Sequence, residues 1–277
     1  MIKSRDLFLF FIKGVLIGLA IIVPGIDIAA LIISLGLYEI IIIATRNLFN
    51  DFNTHKTTLL SIVIGIILGV ISSSNYFSVL VKNQETIVVF LFVGILFGGS
   101  SLVMRKVRNK LSIKDIILFL AIFIGLIIIN ELSIPILEID ILKINIKSLF
   151  LLVLFGLITS TCLILPGISN KLFIIFSGFY EQIINAIKNI NNFTNVFIII
   201  VFFISAILGI FFFAKIIYYF MNKDKTNFYV SVLSLVLVSN VIMIGNIKSF
   251  SYDFKNILFC IITFLWGYSL ARKLDEE

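Results

Sequence analysis

Apolar residues run along this chain in long blocks separated by short polar stretches. The blocks are close to the roughly 20 residues that a helix needs to span a bilayer. A membrane β-barrel would instead alternate polar and apolar positions in segments of about 10. Val196–Phe213 is apolar on every face, so the pattern predicts helices. Ten segments follow: Leu7–Val23, Ile26–Thr45, Leu59–Ser74, Thr86–Met104, Ile116–Asn130, Leu149–Leu165, Ile168–Ile187, Val196–Phe220, Phe228–Gly245 and Ile257–Leu270. The expected fold class is an all-α polytopic membrane protein occupying the whole chain.

Composition narrows this further. Of 277 residues, 60% are hydrophobic and 13% charged, which excludes an ordinary soluble domain. Three prolines and two cysteines exclude proline-rich disorder and a disulfide scaffold. Cys162 and Cys260 lie inside apolar runs and read as small core residues. His55, the single histidine, falls in a polar stretch read as a loop. The net charge of +7 fits loops held against an anionic membrane face, and no nucleic-acid partner is expected. The N-terminal run has no small-residue cleavage site and reads as an uncleaved membrane segment.

Charge also orients the chain. With a cytoplasmic N-terminus and Pro24 and Pro166 at hairpin tips, the inner loops hold Lys3, Arg5, Arg46, Lys56, Arg105, Lys106, Arg108, Lys110, Lys114, Lys223, Lys225, Arg272 and Lys273. The outer loops hold Lys82, Lys143, Lys147, Lys188, Lys248 and Lys255, a ratio of 13 to 6. Both termini are therefore expected inside. The tips Val23–Ile26 and Leu165–Ile168 carry no charge and leave no room for a loop. Re-entrant hairpins with buried tips are expected, although charge counting alone fits full hairpins too.

The chain repeats itself. Gly14, Pro24, Gly25, Ile26, Gly36, Tyr38 and Glu39 recur at a constant offset as Gly156, Pro166, Gly167, Ile168, Gly178, Tyr180 and Glu181. Each motif is followed by two apolar segments. The expected organisation is a first repeat over 7–110, a linking helix and acidic outer loop over 111–148, a second repeat over 149–247, and a C-terminal helix and tail over 248–277. Three spans between the motifs invert the second copy, the arrangement of many secondary transporters, whose substrates bind at broken helices near the midplane.

A proline followed by glycine breaks a helix. The helix restarting beyond it presents free N–H groups and the positive end of its dipole, which suit an anion such as phosphate. The competing reading is a proline kink whose backbone groups are satisfied by neighbouring helices. The expected phosphate-binding residues are Pro24, Gly25, Ile26 and Asp27 in the first tip, and Pro166, Gly167, Ile168, Ser169, Asn170 and Lys171 in the second, with Lys215. Lys171 could neutralise a phosphate or pair with Asp27, since charges at membrane depth are functional candidates by default. Asp27 could instead cap its helix, repel an anion or carry a coupling proton. Lys215 could line the path or extend to the inner face; Lys13 is expected to extend to that face. Gly36, Tyr38 and Glu39, with Gly178, Tyr180 and Glu181, are read as helix-end motifs, their tyrosines and glutamates as interfacial anchors. Gly14, Gly18, Gly36, Gly65, Gly69, Gly94, Gly156 and Gly178 are read as sites of close helix packing.

These motifs resemble the polyprenyl-phosphate transporter family of bacteria and archaea. The resemblance rests on Lys13-Gly14 with Gly18, on Val23-Pro24-Gly25-Ile26, on Leu35-Gly36-Leu37-Tyr38-Glu39, on Leu165-Pro166-Gly167-Ile168-Ser169, on Gly178-Phe179-Tyr180-Glu181 and on Ala214-Lys215. It implies a prokaryotic plasma-membrane transporter returning undecaprenyl phosphate, or a related polyprenyl phosphate, from the outer to the inner leaflet for reuse in envelope synthesis. The chain departs from the family in two places. Asp27-Ile28-Ala29-Ala30 replaces a Ser-Gly-Gly-Thr stretch, and Asn170-Lys171 follows the second motif in place of a glycine and a small polar residue.

Three other classes stay in view: a carrier of another anionic solute, an intramembrane polyprenyl-pyrophosphate phosphatase, and a structural subunit. A phosphatase needs a nucleophile or base beside basic groups, and the tips offer neither an arginine nor an acidic or histidine-bearing motif. No enzyme activity, metal or organic cofactor is expected. Proton or sodium coupling and a homo-oligomer remain open.

Overall fold

The computed structural model describes residues 4–21, 23, 25–46, 51–72, 84–107, 111–131, 145–164, 182–183, 185–187, 192–247 and 253–276. Among these lie ten helices: α1 (Ser4–Ile21), α2 (Ile28–Ser34), α3 (Tyr38–Arg46), α4 (Asp51–Ser72), α5 (Glu85–Lys106), α6 (Ile113–Glu131), α7 (Ile146–Ile164), α8 (Phe193–Lys223), α9 (Lys225–Gly245) and α10 (Phe254–Glu276). Five are long and apolar enough to cross a membrane, and the bent pair α2–α3 makes six. The chain is an all-helical, multi-pass membrane protein. Its outer faces show rows of apolar side chains, as with Ile200, Phe203, Ile204, Ile207 and Leu208 on α8, the exposure expected where lipid replaces water.

Polar residues start the helices where the pattern breaks. Ser112 and Asp115 bond reciprocally at the start of α6, and Asn145 and Ser148 do the same before α7, each satisfying otherwise free N–H groups. Asn192 caps α8 and Asp224 caps α9. Asp224 alone separates α8 from α9, so the chain reverses sharply there.

Close packing depends on small residues. A Cβ added to Gly14 would strike the Ile62 carbonyl and lie 3.1 Å from Gly65 Cα; one at Gly18 would lie 2.9 Å from Gly69 Cα. The contact advances in the same direction on both helices, so α1 and α4 run parallel and in register. A second seam joins α7 to α8: Gly156 faces Ser205, and Gly209 faces Ser160. These two helices are also parallel. Gly94 and Gly98 place α5 against α10 at Phe264 and Tyr268, again in parallel. Phe119 with Ser234, and Leu126 with Val238 and Ile242, do the same for α6 and α9.

Several segments differ from the sequence reading. Ile26–Thr45 is two helices, bent by 107°, because Gly36 adopts φ +71°. Gly36 therefore ends a helix rather than packing one, and Tyr38 and Glu39 start the next helix instead of closing the previous one. The fourth helix begins at Asp51, placing His55 in a helix and not in a loop. The long apolar run Val196–Phe220 extends to 31 residues as α8. Segment Ile168–Ile187 lies outside the described residues except for 182–183 and 185–187, which are helical.

Candidate functional site

The break between α1 and α2 is buried. Val23 is 3% exposed and Ile26 8%, and Gly25 takes φ +83°, a conformation open to glycine at little cost. Asp27, extended at φ −83° and ψ 105°, caps α2 by accepting from the Ala30 N–H at 3.2 Å. Its other oxygen lies 2.9 Å from the Ser239 hydroxyl of α9. Asp27 is 4% exposed. Ser239 sits about 21 Å along α9 from Lys225 and about 9 Å from Gly245, at 1.5 Å per residue. The hinge thus lies at membrane depth.

Short α2 is held tightly. Ala29, Ala30 and Leu31 are almost fully enclosed. The Ser34 hydroxyl donates to the Leu96 carbonyl at 3.3 Å, and Gly99 of α5 leaves no space for a Cβ beside Ser34. The helix ends in a Schellman turn: Leu37 N–H bonds to Ile32 O at 3.0 Å and Gly36 N–H to Ile33 O at 2.9 Å.

The motif after this turn is a clamp. Tyr38, 7% exposed, stacks on Phe228 with ring centroids 6.4 Å apart. Glu39 accepts from the Tyr229 hydroxyl and pairs with Lys106 at 2.6 Å. The Lys106 ammonium also lies 5.3 Å from the Tyr229 ring centroid. Three helices, α3, α5 and α9, meet at this motif. Going from Asp27 beside Ser239 to Glu39 beside Tyr229, the chain runs antiparallel to α9, so α1 and α4 run with α9. The starts of α1, α4, α6 and α9 and the ends of α5, α8 and α10 therefore share one face, which brings Ser4 and Glu276 to it. This face carries Arg5, Lys56, Arg105, Lys106, Lys114, Lys223, Lys225, Arg272 and Lys273; the opposite one carries Lys147 and Lys255 among the described residues.

Of the expected site residues, Gly25, Ile26 and Asp27 form the hinge, with Gly36, Tyr38 and Glu39 at the far end of α2. Pro24 lies outside the described residues, as do Pro166, Gly167, Ile168, Ser169, Asn170, Lys171, Gly178, Tyr180 and Glu181. Ile164, the last residue of α7 and the lead-in to the second motif, shares a buried core with Ile26, Leu31, Ala214 and Ile217. Lys215 is exposed on α8, beside the buried Ala214, and is not part of the buried hinge. Ser239, Phe228 and Tyr229 are hinge and clamp partners that the sequence reading missed. The Ser-Asn pair inside the apolar stretch Val236-Leu237-Val238-Ser239-Asn240-Val241 is the signal that could have found the first.

A cavity of about 480 Å³ lies between α5, α6 and α9. A second, of about 570 Å³, runs between α3, α8 and α9, lined by Tyr38, Phe213, Ile217, Phe228, Val232 and Leu235, with Lys223, Asp224 and Asn227 at its polar end.

Residues 46–257 match the model of the VCA0040-like family, described as undecaprenyl phosphate translocase-like. That is more than half of the chain. The chain belongs to this family. The matched stretch contains the second motif and begins after the first. No curated protein and no solved structure matches the chain. As a translocase-like protein it groups with transporters by family, in keeping with its buried broken helix and multi-pass architecture.

Proposed function

We propose that this translocase-like protein moves undecaprenyl phosphate, or a related polyprenyl phosphate, from the outer to the inner leaflet of a prokaryotic plasma membrane, so that the carrier is reused in envelope synthesis. The match to the translocase-like family over residues 46–257 carries this reading. The basic face that holds Ser4 and Glu276 is read as cytoplasmic.

The two hinges divide the work. At the first, Asp27 already takes the Ala30 N–H that an anion would use, and its carboxylate disfavours a second negative charge. The phosphate is therefore assigned to the second hinge: Pro166, Gly167, Ile168, Ser169 and Asn170 with the Lys171 ammonium. Ile164, the residue that leads into the second motif, shares a buried core with Ile26 and Leu31 of the first hinge. The apolar cavity bounded by Tyr38 and Phe228, with Lys223 at its polar end, suits a lipid whose tail stays in an apolar setting. Two parallel small-residue seams support reading the halves as inverted copies that rock against each other.

Leaflet-to-leaflet movement of a labelled polyprenyl phosphate in proteoliposomes tests the reading. The native chain should exceed empty liposomes, and Lys171→Ala should lose most of that excess. Lys215→Ala, an exposed position, should have a smaller effect. Native movement no faster than in empty liposomes, with correctly folded protein and an ion gradient imposed, would overturn the substrate. Release of inorganic phosphate from a pyrophosphate lipid would turn the reading to a phosphatase.

A further inference from the structure

The slot between α3, α8 and α9 is polar at one end only. Lys223, Asp224 and Asn227 line its mouth at the basic face, and Ser231 follows about one turn further in. The deeper lining, with Phe213, Ile217, Val232 and Leu235, is apolar. Lys223 and Phe213 are ten residues apart on α8, about 15 Å at 1.5 Å per residue. That is half of the roughly 30 Å hydrocarbon core. The slot therefore runs from the basic face to about mid-membrane depth. Its volume of about 570 Å³ falls among pockets that enclose a small ligand.

The charges at the mouth have different duties. Asp224 is committed to α9. Its two oxygens accept from the Asn227 N–H at 3.1 Å and from the Asn227 side-chain amide at 2.6 Å, and a helix N-terminus favours that negative charge. Lys223 is exposed at the mouth, its ammonium 5.7 Å from the Tyr219 ring centroid. Lys223, Asp224 and Lys225 together leave one positive charge there. The mouth thus favours an anion, and the wall behind it favours hydrocarbon. An amphiphile with a small anionic head and a single tail matches both ends. The deep wall also continues into the hinge region. Ile217 lines the slot and belongs to the buried core that holds Ile26 and Ile164, the lead-in to the second motif. Phe213 and Phe228 pack against that core too.

We propose that this slot is the inner-leaflet station of the transported lipid. A polyprenyl monophosphate lies in it with its phosphate on Lys223 and its first isoprene units between Phe213, Ile217, Phe228 and Leu235. The station rests on the transport reading above and adds a second binding place to it, distinct from the phosphate site assigned to the second hinge. Here the head group faces the basic side, the orientation that release into that leaflet requires.

The test uses farnesyl phosphate carrying a photoreactive group at the far end of its tail. It is added to the purified full chain in neutral phosphatidylcholine vesicles, and labelled peptides are located by mass spectrometry. Label should fall on Phe213–Ile217 and Val232–Leu235, and plain farnesyl phosphate should compete for it. Farnesol should compete at least about tenfold less well, and Lys223→Glu should need at least about tenfold more probe, the usual worth of a charge-assisted contact. Leu235→Trp, which enlarges a side chain at the deep end, should lose the label. If Leu235→Trp does not fold, Lys223→Glu decides, because that side chain is exposed. Label confined to the lipid-facing side of α10, or equal competition by farnesol, would overturn the station. Equal competition by phosphatidylglycerol would make the slot a general lipid groove and overturn it as well. Label in the slot without leaflet-to-leaflet movement of polyprenyl phosphate would leave the binding site and sink the transport reading alone. Movement without label in the slot would sink the station alone.

Discussion

The two small-residue seams solve one problem with different chemistry. In α1–α4, four glycines meet, Gly14 and Gly18 against Gly65 and Gly69, and backbone lies on backbone. In α7–α8, Gly156 and Gly209 survive, but Ser205 and Ser160 face them. Those hydroxyls are satisfied within their own helices: Ser205 Oγ lies 2.8 Å from both Val201 O and Phe202 O, and Ser160 donates to Leu157 O. Without a strong hydrophobic drive between helices in lipid, close approach supplies most of the attraction. The all-glycine seam is therefore rigid on both sides. The serine seam contains atoms that can rotate away, so the second half has slack that the first lacks.

The largest effects should come from filling the rigid seam. A Cβ at Gly18 would meet only backbone, at Ile66, Gly69 and Val70. Gly18→Leu should eliminate monodisperse protein in size-exclusion chromatography. Gly18→Ala should destabilise by about 1–3 kcal/mol, the usual range for overpacking. Gly209→Ala is the matching change in the other seam, where the nearest neighbours are the Ser160 hydroxyl and Cβ, with the Leu157 Cα at 3.1 Å. It should cost less, and adding Ser160→Gly should recover most of the loss in a thermal double-mutant cycle. No deletion of a side chain opposite Gly18 can do the same. Equal costs for the two alanine variants, or no recovery in the double variant, would erase the difference between the halves.

The hinges supply a milder contrast, with strain instead of collision. An added Cβ at Gly25 has nothing within 4 Å, and at Gly36 only Leu102 Cδ1 at 3.6 Å. Both glycines have positive φ. Gly25→Ala and Gly36→Ala should each cost about 1–2 kcal/mol from the left-handed backbone alone, read as a drop in Tm without loss of expression. A collapse as severe as that of Gly18→Leu would mean that the turns carry packing as well as conformation.

Much of this was legible before the structure. Runs of apolar residues located the described helices, and the first Pro-Gly pair marked the break before α2. Gly14, Gly18, Gly65 and Gly69 read correctly as close-packing positions because small residues at four-residue spacing form one stripe of a helix. Gly36 did not, because a glycine that ends a helix and one that packs a helix look alike when apolar residues follow either way. His55 was misplaced for the opposite reason: a polar stretch at a membrane face can be helical, since water satisfies its side chains. The partners of Asp27 and Glu39 were out of reach. Ser239 lies 212 residues from Asp27 and Tyr229 190 from Glu39, and no local period encodes a contact of that range.

The clamp at Glu39 should yield the smallest effect. Lys106 and Glu39 are joined at 2.6 Å, but their side chains remain 41% and 34% exposed. Pairs open to water contribute about 0–1 kcal/mol. Glu39→Gln keeps an acceptor for the Tyr229 hydroxyl and leaves Lys106 over the Tyr229 ring, so stability should fall by less than about 1 kcal/mol, and added salt should narrow the gap to native. Glu39→Leu removes the acceptor too and should cost more than Glu39→Gln, since Tyr229 is largely buried. If the two variants unfold at the same temperature, the charge is the important part of the motif. If Glu39→Leu alone is destabilised, the Tyr229 hydrogen bond is what ties α3 to α9, and the lysine contributes mainly to the basic face.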